Sequence, residues 1–157
     1  MKKIFLLLLT LIVLPLSVCA DEKQEALDFF NSYVEGANNY SPAIAEMYSP
    51  SAKIIRQVVK PDGTTANATT DTATYIKQMK IGQAGAKLRK YKNNYSNITV
   101  VPVDGGYKVS SLRQPSGEDY KLKTYMIVKK QPNGKWLITE EMMQTKVQTF
   151  LRYADNK

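Results

Sequence analysis

Ser41-Pro42-Ala43-Ile44-Ala45-Glu46-Met47-Tyr48-Ser49-Pro50-Ser51-Ala52-Lys53-Ile54-Ile55-Arg56-Gln57-Val58-Val59-Lys60 changes its structural period halfway along. Ser41 before Pro42 reads as a helix N-cap followed by a first-turn proline, whose missing N–H costs nothing there. Ile44, Met47 and Tyr48 are spaced for one face of a short helix. Ser49-Pro50 stops it, because a proline disfavours helical backbone in the residue before it. From Lys53 to Lys60 the composition turns to Ile and Val, which predicts a strand. Pro61-Asp62-Gly63 then turns the chain.

The flanks extend this reading. Upstream, Ala26, Leu27, Phe29, Phe30, Tyr33, Val34 and Ala37 recur at spacings of three and four, which predicts an amphipathic helix over 22–37. Downstream, 64–70 is polar and reads as a short strand or a loop. A third helix is expected from Asp71 or Thr72 to about Leu88, with Tyr75, Ile76, Met79 and Ile81 inward; Gly82 and Gly85 weaken its end. The rest reads as strands: 91–103, 107–113, 120–129 and 136–147. They are separated by Asp104-Gly105-Gly106, Pro115-Ser116-Gly117 and Pro132-Asn133-Gly134 turns. Phe150-Leu151 reads as a short closing tail. Helices gathered on one face of a mostly antiparallel sheet make an α+β layer architecture.

The first 20 residues have the zones of an export signal. Lys2 and Lys3 start it, Ile4 to Leu16 is apolar, and Val18-Cys19-Ala20 is a small-residue end. The apolar run falls short of the roughly 20 residues a bilayer span needs. Leu16-Ser17-Val18-Cys19 resembles a bacterial lipobox, but Val18 stands where that motif has Gly, Ala or Ser. Cleavage after Ala20 is therefore expected, with lipid anchoring through Cys19 as the alternative. This leaves one domain over 21–157, periplasmic or secreted, in a bacterial host.

That mature segment contains no histidine and no cysteine. The usual neutral-pH base, the thiol nucleophile and two common metal ligands are thereby excluded, and no metal or cofactor is expected. P-loop, Gly-x-Gly-x-x-Gly, Gly-x-Ser-x-Gly and calcium-loop patterns are absent from the sequence. Without Lys2 and Lys3 the chain keeps 20 basic and 14 acidic residues, a net charge of about +6, which favours anionic partners. Arg89-Lys90-Tyr91-Lys92-Asn93-Asn94-Tyr95 has the composition of a nucleic-acid stacking surface. A strand with a solvated lysine face explains it equally, and an exported protein is not expected to meet nucleic acid.

Two stretches carry a family resemblance. Phe29-Phe30-Asn31-Ser32-Tyr33-Val34, followed by Ile44-Ala45-Glu46-Met47-Tyr48-Ser49-Pro50-Ser51-Ala52-Lys53-Ile54, resembles the opening of the nuclear transport factor 2-like (SnoaL-like, cystatin-like cone) superfamily. Gly134-Lys135-Trp136-Leu137-Ile138 resembles its last hairpin. The resemblance implies a curved sheet wrapped around a cone-shaped cavity, with two to three N-terminal helices. It also implies a possible homodimer through the open sheet face. It does not select a function, because members include isomerases, dehydratases and association modules.

In the ketosteroid isomerases of that superfamily, a tyrosine of the first helix donates to the substrate oxyanion, a role the resemblance gives to Tyr33. The base position falls by spacing on Gln57, an amide that cannot abstract a proton from carbon. Glu140 and Glu141 are the other candidates. Strand alternation turns only one of them inward, grouping Trp136, Ile138, Glu140 and Met142 on one face. A carboxylate among apolar neighbours is the environment that can make a usable base. The expectation is a non-catalytic binding module for a protein partner or a small anionic or apolar ligand. The cavity residues expected are Tyr33, Tyr48, Gln57, Tyr75, Met79, Met126, Trp136 and Met142. One alternative is a SnoaL-like isomerase or dehydratase using Tyr33 with Glu140 or Glu141. The other is a periplasmic lipid carrier, since Trp136, Met142 and Met143 with a basic surface resemble phospholipid carriers of the toluene-tolerance type.

N-terminal sequencing of the exported protein is expected to read Asp21 first. A lipid-modified Cys19 as the first residue overturns this.

Overall fold

The computed structural model describes residues 16–155. Most of the expected leader, residues 1–15, lies outside the described residues; the expected cleavage point after Ala20 falls within the first helix. Helix α1 (Leu16–Asn38) leads through a 3-10 helix (Pro42–Met47) into β1 (Tyr48–Val59). Then come β2 (Thr65–Thr70), α2 (Thr72–Leu88), β3 (Asn93–Val103), β4 (Gly106–Pro115), β5 (Leu122–Lys130) and β6 (Trp136–Thr145). A second 3-10 helix (Gln148–Tyr153) ends the fold. The strands form one sheet in the order β2-β1-β6-β5-β4-β3. β1 and β6 run parallel, and the other four neighbouring pairs are antiparallel. The sheet is curved and unclosed, and β2 and β3 are its edges.

Local chemistry explains the element ends. The Ser41 hydroxyl accepts from the Ala43 N–H, and Pro42 opens the 3-10 helix. The Asp71 carboxylate accepts from the Thr74 N–H at 2.8 Å and caps α2. β1 starts at Tyr48, five residues before the expected strand. Ser49-Pro50 ends the helix but lies inside the strand, where the pairing with β6 is irregular between Tyr48 and Lys53. A proline fits there because an irregular ladder has no bond for it to break.

Ile81 departs from its expected place. It is 72% exposed, whereas Tyr75, Met79, Gln83 and Ala86 form the inward face. Two residues beyond Met79 is about 200° around a helix, so Ile81 points away from the sheet.

The concave face of the sheet holds the core. Ala26, Phe30 and Tyr33 of α1 pack on Ile54, Val109, Met126, Val128 and Ile138. Phe30 meets Tyr95 edge-on, with ring centroids 5.5 Å apart.

The register of β6 corrects the alternation expected there. Ile127 of β5 lies opposite Glu140 and Val128 opposite Ile138, which leaves Thr139 as an extra residue. This is a β-bulge, and it reverses every side chain beyond it. Glu141 therefore joins Trp136 and Ile138 on the buried face, while Glu140 and Met142 turn to the convex one. The Thr139 hydroxyl donates to the Ile127 carbonyl at 3.2 Å beside the bulge.

Trp136 follows the Pro132-Asn133-Gly134 turn and anchors the other end of the sheet. Its ring is buried against Tyr107, and its indole N–H donates to Glu25 of α1 at 3.0 Å. Lys130 pairs with the same carboxylate oxygen at 2.7 Å. Trp136→Ala is expected to destabilise the protein by about 3–5 kcal/mol. Chemical denaturation checks it; a loss below about 1 kcal/mol shows that the ring is not a packing anchor.

Candidate functional site

The centre of the cone is a polar knot around Glu141, whose side chain is 0% exposed. Three groups converge on it. Arg56 of β1 forms an ion pair with Oε1 at 2.8 Å. The Tyr48 hydroxyl, from the first residue of β1, donates to Oε2 at 2.5 Å. The Tyr33 hydroxyl, from α1, donates to Oε2 at 3.3 Å. Tyr75 of α2 then covers the knot, with the Arg56 guanidinium stacked 4.8 Å from its ring centroid.

Burial and the adjacent Glu141 charge both push the Tyr33 and Tyr48 phenols well above the usual tyrosine range. Tyr75 is raised for the same two reasons. Burial opposes the charge on Arg56, but the oxygens of Tyr75 and Glu141 outweigh it and hold the guanidinium protonated.

Two hollows adjoin the knot. The first, about 330 Å³, lies between α1, α2 and the concave faces of β3, β4 and β6. Ile44, Met79, Tyr95, Met143 and Phe150 give it an apolar wall; Tyr40, Gln83, Asn93 and Arg113 give it a polar one. The second, about 420 Å³, lies between α2, β2 and the C-terminal 3-10 helix. Arg56, Tyr75, Met79 and Phe150 line both. Among the described residues lining the two hollows there is no Asp or Glu. No group of three or more His, Cys, Asp or Glu among the described residues is placed to hold a metal ion.

The structure distributes the sequence candidates as follows. Tyr33, Tyr75 and Met79 line the first hollow. Tyr48 sits behind it in the knot. Met126 lies inside the core at 1% exposure. Trp136 lines a separate depression by the Gly105-Gly106 hairpin. Gln57 faces the convex side and hydrogen-bonds Asn67 and Gln144, because its neighbour Arg56 faces the cone. Met142 is likewise convex. Glu140 accepts from the Tyr125 hydroxyl at 2.6 Å on that outer face, so it does not enter the cone. Glu141 enters it and is paired there to Arg56.

Arg56, Tyr40 and Arg113 were not singled out from the sequence. A signal existed for the two arginines: each occupies an inward register, in Ile54-x-Arg56-x-Val58 and in Val109-x-Ser111-x-Arg113.

Comparison with solved structures gives the fold. An NTF2-like protein of unknown function from Pseudomonas putida KT2440 aligns with TM-score 0.60 at 11% identity, over 80% of this chain and 87% of its own. An NTF2-like protein with a cystatin-like fold from Novosphingobium aromaticivorans aligns with TM-score 0.55 at 12% identity, over 81% and 83%. A protein from Shewanella frigidimarina NCIMB 400, provisionally named a ketosteroid isomerase, aligns with TM-score 0.55 at 15% identity, over 74% and 91%. This chain therefore has the NTF2-like cone fold expected from its sequence. No protein-family model matches it, and no curated protein matches it.

The knot has a pH signature. The unfolded chain releases its phenolic protons near pH 10, while Tyr33 and Tyr48 keep theirs in the folded state. Their contribution to stability is full below that pH and is lost as pH rises above it, by about 1.4 kcal/mol per group per unit. Tyr48→Phe is expected to cost about 1–3 kcal/mol at pH 7, because Glu141 loses a buried donor. It is also expected to flatten the alkaline decline. Urea titrations of both proteins from pH 7 to 11 check this; parallel profiles contradict it.

Proposed function

We propose that this protein binds a small amphipathic molecule in the cone hollow and does so without carboxylate-based proton transfer. One observation carries the reading: the residues an isomerase would need are already bonded to each other. Tyr33 has a single proton, and it is directed at Glu141. Glu141 is held in turn by Arg56 and Tyr48, behind the hollow and not on its wall. A general base needs an approach to the proton it abstracts, and an oxyanion donor needs a free hydrogen. Neither condition is met by this arrangement.

What the hollow does offer suits binding. It is concave, mainly apolar, and carries a few placed polar groups, as small-molecule sites do. Its volume, about 330 Å³, sits at the small end of that class. In this reading the protein acts outside the cytoplasm, following its expected leader.

The test uses a neutral apolar probe, N-phenyl-1-naphthylamine, followed by fluorescence. Wild type is expected to bind it saturably, and Met79→Trp, which fills the space shared by both hollows, to weaken binding by about tenfold or more, roughly 1.4 kcal/mol. Met142→Trp, on the convex face, serves as the control and is expected to bind normally. Absence of saturable binding by the wild type defeats the reading, as does a Met79→Trp protein that binds like wild type.

A further inference from the structure

We propose that the ligand is a monocarboxylate, held by Arg113 and Tyr40 on the polar wall of the first hollow; this rests on the binding reading above. Arg113 is 7% exposed and lines that hollow. Its Nη1 donates to Asn93 Oδ1 at 2.8 Å and to the Tyr91 hydroxyl at 3.3 Å; its Nη2 donates to the Gln144 carbonyl at 2.9 Å. Every acceptor is neutral. The two ion pairs among the described residues are Arg56–Glu141 and Lys130–Glu25, so Arg113 is a buried cation without a counter-charge there.

A guanidinium has five N–H donors. The bonds above use three, and Nε is buried with no acceptor. Tyr40 lines the same hollow, and its hydroxyl is buried with no partner either. Buried donors are nearly always satisfied, so two orphans in one hollow point to an acceptor that arrives from outside the chain.

The charges choose the class of acceptor. Arg56, the other cation lining the hollow, is already neutralised by Glu141. One uncompensated positive charge matches one negative charge, and a guanidinium offers paired N–H groups in the geometry a carboxylate accepts. A phosphate dianion would leave excess negative charge in an apolar enclosure. The opposite wall, with Ile44, Met79, Tyr95 and Phe150, then takes the apolar body of the acid.

Tyr40 is also held in an unusual backbone conformation, at φ 58°. Gln83 of α2 donates to its carbonyl at 2.6 Å and fixes it there. Non-glycine residues adopt that region rarely. The strained residue is thus one whose side chain lines the same hollow as Arg113.

The experiment pairs phenylacetate, 4-phenylbutanoate and decanoate each with its own primary amide, and measures both affinities by calorimetry at pH 7.5. Wild type is expected to prefer at least one acid over its amide by about tenfold or more, the scale of a charge-assisted hydrogen bond. In Arg113→Met the preference is expected to fall to near unity. Tyr40→Phe, which removes one oxygen and serves should Arg113→Met not fold, is expected to lower it several-fold. Arg152→Met, which removes an exposed cation, is expected to keep it and so excludes a net-charge effect. Equal affinity of the wild type for acids and amides overturns this inference and leaves the cavity reading standing. A preference that survives both Arg113→Met and Tyr40→Phe overturns it too. No saturable binding by any acid or amide also overturns this inference, and the apolar-probe titration then decides whether the cavity reading stands.

Discussion

A carboxylate with no solvent exposure needs partners from its surroundings, and Glu141 obtains them from elements far apart in the chain. Tyr33 comes from α1, Tyr48 and Arg56 from the two halves of β1, and Glu141 itself from β6. Tyr75 of α2 stacks on Arg56 and closes the set. Apolar attraction is non-directional, whereas a hydroxyl that must reach Oε2 fixes an orientation. The knot thus helps to set both helices over the sheet, together with the bonds of Glu25 to Trp136 and of Asn38 to Asn93 along α1.

That knot exists because of one extra residue in β6. With strict alternation, Glu140 would share the face of Trp136 and Ile138, and Glu141 would point outward. The bulge at Thr139 exchanges them. It also bends and twists the strand locally, as bulges do, which suits a sheet that must curve around α1. Curvature and the choice of buried carboxylate therefore have a common cause. A glutamate is present at both positions, so composition gives no warning of which one is used.

Much of the architecture was legible because it depends on local signals. The Ser41-Pro42 cap, the Ile/Val run of β1 and the Pro132-Asn133-Gly134 turn each dictate backbone within a few residues, and the structure follows them. The site was less legible because its geometry depends on register. Tyr33, Tyr75 and Met79 lie on regular helices, where a spacing rule holds, and all three reach the hollow. Gln57, Glu140 and Met142 lie in strands, where a one-residue shift reverses the face. Ile81 is apolar like its inward neighbours but lies at the wrong angular phase of α2, two residues past Met79. Arg113 is hidden in the sequence because a charged residue near a strand end reads as solvated until the opposite wall is known.

The two arginines of the cone show how the same residue type is put to different ends by its neighbours. Arg56 faces a buried carboxylate and two tyrosine rings, so its charge is consumed within the fold, and its role is to hold helices in place. Arg113 faces an asparagine oxygen, a phenol and a backbone carbonyl, which solvate a cation without neutralising it. A protein selected only for stability gains nothing from that second arrangement, because an apolar residue of similar volume would remove the desolvation cost. In the proposed complex, a bound carboxylate offsets what those three hydrogen bonds leave of that cost. Under the proposed binding role, stability and binding are separated onto two cations that line the same hollow.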